Sequence, residues 1–212
     1  MIYYGMDSKF GITTFIVVAI IVLILSIIIT CIKKLMISNN RGVNTRSNVD
    51  HKTYYVKQAP NSQESADVLA KINFNLSVIK TFFKDKYNSD KKSAYSYDRI
   101  KNKKISLEEN TLNKHTSYSV NKGEKIVLCL RSKADNKIHD INLLMYVVLH
   151  EISHVICPEI DHTEMFDNIF SFVRESATKC GVYDAKLAFT NHTEYCGINI
   201  ENSANVRDKI SY

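Results

Sequence analysis

The 212-residue sequence has no tryptophan, only two prolines, and no Cys-x-x-Cys pair among its five cysteines. The scarcity of proline and tryptophan decides little. The cysteines say more. Cys31, Cys129, Cys157, Cys180 and Cys196 are odd in number and share no repeating spacing, which argues against a disulfide framework and against a cysteine zinc knuckle. The expectation is reduced, partly buried thiols in a cytosol-facing domain. Cys157 lies close to a group of histidines, but a His-rich metal site is complete without it. The length rules out two large domains and leaves room for one core with an appendage.

Charge is missing altogether from residues 12–32. The run ITTFIVVAIIVLILSIIITCI holds 21 residues without an acid or a base, which as a helix spans about 30 Å, the thickness of bilayer hydrocarbon. Its start lacks the basic cluster of a secretory leader, and no small-residue cleavage site follows it. A buried core helix is disfavoured, because a domain this small seldom surrounds a helix that is apolar on every face. Lys33, Lys34, Arg41 and Arg46 follow the run and outweigh Lys9 before it. The positive-inside rule then places the C-terminal bulk on the cytosolic side and residues 1–11 outside. Two glycosylation sequons, at Asn75 and Asn191, would carry weight only if this topology were inverted.

Residues 33–104 hold 16 Lys and Arg against 6 Asp and Glu, whereas residues 105–212 hold 11 against 15. Residues 33–64, polar and without a hydrophobic period, read as a basic tether. Beside a membrane such a tether is drawn to anionic lipid at about 1 kcal/mol per basic residue near the surface. The same charge suits nucleic acid, and Tyr95 and Tyr97 stand among lysines in a stretch that reads as a solvated basic loop. No nucleic-acid-binding motif accompanies them, so lipid is the favoured partner.

From residue 65 the pattern becomes that of a folded domain, residues 65–212. Val68, Leu69, Ile72, Leu76, Ile79 and Phe83 recur at helical spacing, predicting a helix from about Ser65 to Tyr87. Residues 124–133 alternate and are rich in branched side chains, as in a strand, after a turn at Asn121, Lys122 and Gly123. Asp140 can cap a further helix carrying Leu143, Leu144, Val147, Val148, Ile152 and Val155, which Pro158 helps to stop.

That helix carries the chemistry. In LHEISHVICPEIDHTEMF, Leu149 to Phe166, His150 and His154 stand four apart and so share one helix face, where both imidazoles can reach one ion. Glu151 lies about 100° round from His150, placed to meet a water on that ion without ligating it. Catalytic zinc uses three protein ligands and keeps a fourth position for water. His162, past the break at Pro158, is the obvious third ligand; Glu175, on the following helix, is its competitor. That helix shows Phe166, Ile169, Phe170 and Val173 on one face and Gly181 as its stop, with Asp161 able to serve as its N-cap ahead of Glu164. Glu159, Asp161 and Glu164 read as solvated or capping, and His115, His139 and His192, without ligand spacing, as surface residues. The alternative is that the histidines hold no metal.

A strand ending in Leu130-Arg131, a helix bearing H-E-x-x-H, and His162 followed four residues on by Phe166 together resemble the WLM and SprT-like zinc metallopeptidases, above all membrane-anchored relatives encoded by large DNA viruses. The resemblance covers roughly Ser65 to Ile200. It implies an α+β minimal zincin-like protease fold, a small sheet with an active-site helix, with zinc on His150, His154 and His162 and the general base at Glu151. The seven residues between His154 and His162 exceed the spacer of WLM members. The family acts on proteins crosslinked to DNA, a substrate class that a bilayer anchor and a mildly acidic catalytic part do not suit.

The resulting expectation is a single-pass membrane protein whose cytosol-facing domain hydrolyses protein or peptide substrates with Zn2+, Glu151 taking the proton of the attacking water. The strand at Ile126 to Leu130 is expected to offer its edge to an extended substrate. Tyr118, Tyr183 and Tyr195 are candidates by residue type for stabilising the oxyanion. The rival reading is a non-catalytic envelope or scaffold protein with a structural zinc, which would need four protein ligands and no base.

Overall fold

A computed structural model of the chain describes residues 8–38, 41–112, 116–186 and 193–200. The sequon at Asn191, His115, His192 and the first seven residues fall outside these. The chain divides into two compact units, Met1–Arg41 and Gly42–Tyr212. The first contains a single helix, α1 (Ser8–Ser38), whose window Thr14–Ile32 has a mean hydropathy of 3.4 and buries none of its surface. It is an exposed apolar helix long enough to cross a membrane.

In the second unit, strands β1 (Gly42–Arg46) and β2 (Thr53–Lys57) pair as an antiparallel hairpin inside the stretch read as tether. The alternation that drives it is short: Tyr54 and Val56 point inward and are buried, with Thr53 and Tyr55 exposed between and beside them. The hairpin is fastened to α2 (Ser62–Asp85), where the Asp67 carboxylate accepts from the Ser47 hydroxyl at 2.8 Å and the Asn48 N–H at 2.7 Å. Leu69, Ile72, Ile79 and Phe83 form the buried stripe of α2, at the helical spacing expected.

The basic stretch expected as a loop contains a helix, α3 (Lys91–Ile100). Its nucleus is Asp90, whose carboxylate accepts from the backbone N–H of Lys92 and Ser93. Its only fully buried large apolar side chain is Ile100, too little for the hydrophobic period to announce it. Arg99 Nε donates to the Ile156 carbonyl at 3.1 Å, tying α3 to the end of the histidine-bearing helix.

Strands β3 (Ser106–Glu109), β4 (Tyr118–Val120) and β5 (Lys125–Leu128) form a sheet ordered β3-β5-β4, with β3 parallel and β4 antiparallel to β5. The strand expected over 124–133 therefore ends early. It is also central, paired on both sides, so it offers no edge to a substrate; the antiparallel edge next to it is β4. The turn joining β4 to β5 uses positive φ at Asn121, Lys122 and Gly123, at 49°, 50° and 94°. A Cβ on Gly123 would lie 2.5 Å from a Val155 methyl, so only glycine lets this turn sit against the helix that carries Val155. Gly123→Ala is expected to cost about 1–3 kcal/mol, read as a lower denaturant midpoint at unchanged slope; an unchanged midpoint would deny the close approach.

Helix α4 (Ile141–Ile156) is capped by the Asp140 carboxylate on the Asn142 N–H at 2.8 Å and is buried at nearly every position from Leu143 to Ile156. Helix α5 (Glu164–Lys179) packs beside it. Its cap is Thr163, whose hydroxyl accepts from the Phe166 N–H at 3.3 Å, and not Asp161, which sits at φ 69° in the turn before it. Gly181, also at positive φ, ends α5 with paired bonds from Gly181 N to Thr178 O and from Val182 N to Ala177 O, as expected of a glycine stop. A last hairpin, β6 (Thr193–Tyr195) and β7 (Ile198–Ile200), completes an α+β fold.

Two buried features cross-link these elements. The Arg131 guanidinium meets Glu109 at 2.7 Å, with both side chains about 95% or more buried, and also donates to Ser65 Oγ at 2.7 Å and to Asn61. The second Glu109 oxygen accepts from the Lys57 N–H at 2.8 Å. The other cross-link corrects the sequence reading: Cys129 and Cys196 form a disulfide across 67 positions, while Cys31, Cys157 and Cys180 are free. Two thiols this far apart show no local spacing by which to recognise them.

Candidate metal centre

The three histidines converge. His150 and His154 project from one face of α4, and the turn after Pro158 returns His162 to them ahead of α5. His154 Nε2 lies 3.1 Å and His162 Nε2 3.2 Å from His150 Nε2. Nitrogens bound to one tetrahedral zinc at about 2.0–2.1 Å stand about 3.3 Å apart, which these two distances match, and the three ligand atoms all lie within 4.8 Å of one another. Three neutral imidazoles are also the right donor chemistry for zinc. Among the described residues, this group of ligand-type side chains within reach of one ion consists of these three histidines.

The surroundings keep His154 neutral and pack the rings of the cluster. Burial, followed by the neighbouring His162, lowers the His154 pKa to about 4, leaving its nitrogen lone pair free at neutral pH. Phe166 supplies the floor: its ring stacks on His154 with centroids 4.2 Å apart and meets His150 at 5.1 Å and His162 at 4.9 Å. The Phe four residues after His162 is thus a packing element of the cluster. Phe170 continues the floor, 5.4 Å from His150.

Glu151 is buried, with 3% of its surface exposed. Burial pushes its carboxyl up to about 8, against the bond from the Ser119 hydroxyl that favours the ionised form. Ser119 belongs to the edge strand β4, so the same short strand that borders the open side of the sheet also orients this carboxyl. Nothing in the sequence marked Ser119, since its partner lies 32 positions on and the contact is tertiary.

Glu175, the competitor for third ligand, is exposed on α5 and paired with Lys179 at 2.7 Å, outside the cluster. Cys157 is buried at the end of α4 and is likewise not in the cluster. Glu159, Asp161 and Glu164 are exposed, as expected. Of the three tyrosines, Tyr183 packs on Tyr146 and interacts with Arg174, Tyr118 lies half-buried on β4, and Tyr195 is fully buried with its hydroxyl 2.5 Å from Ser117 Oγ. His139, expected at the surface, is half-buried against Tyr195, with ring centroids 5.2 Å apart, and accepts from the Cys196 N–H. A groove of about 690 Å³ between α3 and α5, walled mainly by apolar groups of Tyr95, Met165, Ile169 and Phe172, reaches Glu159 and Thr163 on either side of His162.

No protein-family model matches the chain. It is 35% identical over 187 residues to the uncharacterized protein R325 of Acanthamoeba polyphaga mimivirus, an alignment covering 87% of this chain and 93% of that one. It is 32% identical over 120 residues to the uncharacterized protein 136R of Invertebrate iridescent virus 6, covering 56% and 66%. The expected relatives in large DNA viruses are therefore found. Among solved structures, the chain is similar to Wss1 from Saccharomyces cerevisiae over 59% of its length and 87% of that chain, at 20% identity and a TM-score of 0.43.

Proposed function

This chain belongs to the family of the mimivirus protein R325, and we propose that it is a membrane-anchored zinc endopeptidase of the H-E-x-x-H type. The observation that carries the reading is the convergence of the His154 and His162 nitrogens on that of His150, at 3.1 and 3.2 Å, with all three within reach of one ion. His150, His154 and His162 hold the ion, and Glu151 is the general base. Bound zinc supplies Lewis acidity and a water with its pKa brought to about 7. Glu151, held by Ser119, would be the general base toward that water and the acid toward the leaving amine, the cation beside it favouring the ionised carboxylate that burial alone disfavours. The edge strand β4, the outer strand of this sheet among the described residues, aligns an extended substrate by main-chain hydrogen bonds, which gives affinity with little sequence preference. The rival of a structural zinc needs a closed site of four protein ligands, one more than this cluster offers among the described residues.

Thr14–Ile32 anchors the protein in a bilayer, and the basic residues that follow place the domain on the cytosolic side, near anionic lipid. Residues 42–57 belong to the catalytic domain, since β1 and β2 are fastened to α2. Metal analysis of the purified chain tests the site. Wild type and Glu175→Gln are expected to carry stoichiometric zinc, and His162→Ala to lose most of it. Full zinc in His162→Ala with loss in Glu175→Gln would overturn the ligand set.

A further inference from the structure

The C-terminal hairpin is held by a closed ring of bonds. Cys196 is joined to Cys129 by the disulfide. The Cys129 N–H donates to Ser117 Oγ at 3.0 Å, and Ser117 Oγ is 2.5 Å from the Tyr195 hydroxyl. Tyr195 and Cys196 are chain neighbours, which closes the ring. Ser117 immediately precedes β4, and two residues later Ser119 bonds the Glu151 carboxyl. The Tyr195 phenol never reaches solvent, and the Glu151 charge adds to the burial that raises its pKa.

The hairpin itself is weak. β6 and β7 have three residues each, and an isolated two-stranded hairpin is marginal in water. Its two-residue turn, Cys196-Gly197, has positive φ at both positions, 54° and 86°, a geometry glycine takes freely and cysteine does not. Its seat depends on what fastens it, and the strongest fastening is the sulfur–sulfur bond.

We propose that Tyr195 is a positioning residue for Glu151, seated by the Cys129–Cys196 disulfide, so that reduction of this bond switches off the peptidase. The proposal rests on the endopeptidase reading above. The cytosolic placement argued from the flanking charges gives the disulfide its meaning: a bond facing a reducing compartment is transient and redox-sensing more often than structural. The switching step is thiol–disulfide exchange with an external protein dithiol. Its thiolate attacks one sulfur of the pair to give a mixed disulfide, and its second thiol resolves that intermediate. Cys129 and Cys196 are released as two thiols, the dithiol leaves as a disulfide, and two electrons have passed into the protein. Oxidation by an oxidised dithiol runs the same steps backwards.

The test uses the zinc-loaded full-length chain in detergent, with a phosphine reductant in place of the dithiol. Reduction, and separately Cys129→Ser/Cys196→Ser, is expected to lower kcat at least about tenfold with zinc content unchanged, since small misplacements of catalytic groups carry such losses. Tyr195→Phe, which keeps the disulfide and the tilted ring contact with His139, is expected to lower kcat with KM within about twofold. A reduced protein or a Tyr195→Phe variant with wild-type kcat overturns the proposal. Hydrogen exchange at residues 116–120 gives a readout without turnover: it is expected to rise on reduction, and unchanged exchange also overturns the proposal. Raised exchange in a chain that never cleaves peptide places the failure in the endopeptidase reading instead.

Discussion

Glu151→Gln is expected to keep the fold and the zinc while lowering peptide hydrolysis by about 10²–10⁴-fold, the usual contribution of a positioned acid–base group. The amide has the shape of the carboxyl it replaces and can still accept from Ser119. It also removes an ionisable group from a site where burial alone disfavours charge. The substitution therefore separates chemistry from architecture: what is lost is the ability to accept a proton. Cleavage of an unfolded protein, followed by product sizing beside metal analysis of the same preparation, gives both halves of the comparison. Zinc-dependent cleavage at the wild-type rate would remove Glu151 from the mechanism.

Glu109→Ala carries the largest expected effect on stability, a loss of about 3–5 kcal/mol, because it strands the Arg131 guanidinium as a buried charge. Arg131 does not turn to solvent instead, since Ser65 and Asn61 hold its other nitrogens. The loss is also felt at the Lys57 N–H, which gives up its carboxylate partner. The paired change Glu109→Leu/Arg131→Met removes both charges together and is expected to recover most of the deficit, as replacement of buried ion pairs by apolar residues often does. Urea midpoints of the three proteins decide the matter; a single variant as stable as wild type would show that the pair is not desolvated. The pair also explains the Leu-Arg ending of the strand noted in the sequence. Leu130 fills the core, and Arg131, three residues past the end of β5, pins this segment to the start of α2.

The centre was legible wherever its geometry is set by local periodicity. His150 and His154 had to share a face once α4 was a helix, and the buried stripe of α4 with Asp140 at its start made that helix plain. His162 followed from ligand counting, but its rivalry with Glu175 turned on which face of α5 meets α4, and no count of residues decides that. The structure turns Glu175 to Lys179 and solvent. Ser119, Tyr195 and the Cys129–Cys196 bond depend on contacts over 32 to 78 positions, for which a single sequence carries no pattern. The β1–β2 hairpin was hidden because only Tyr54 and Val56 face the core from β2. Helix α3 was hidden for a related reason, its lysines masking a good cap at Asp90.

The separation of the two bonded cysteines sets a clock on the ribosome. Cys196 is synthesised 67 residues after Cys129, which at about 5–20 residues per second takes roughly 3–13 s. For the last 34 of those residues the nascent chain already includes His150, Glu151, His154 and His162, yet its clasp has no second half. On the proposed function, this order leaves the histidine site without its covalent fastening until Cys196 has been added.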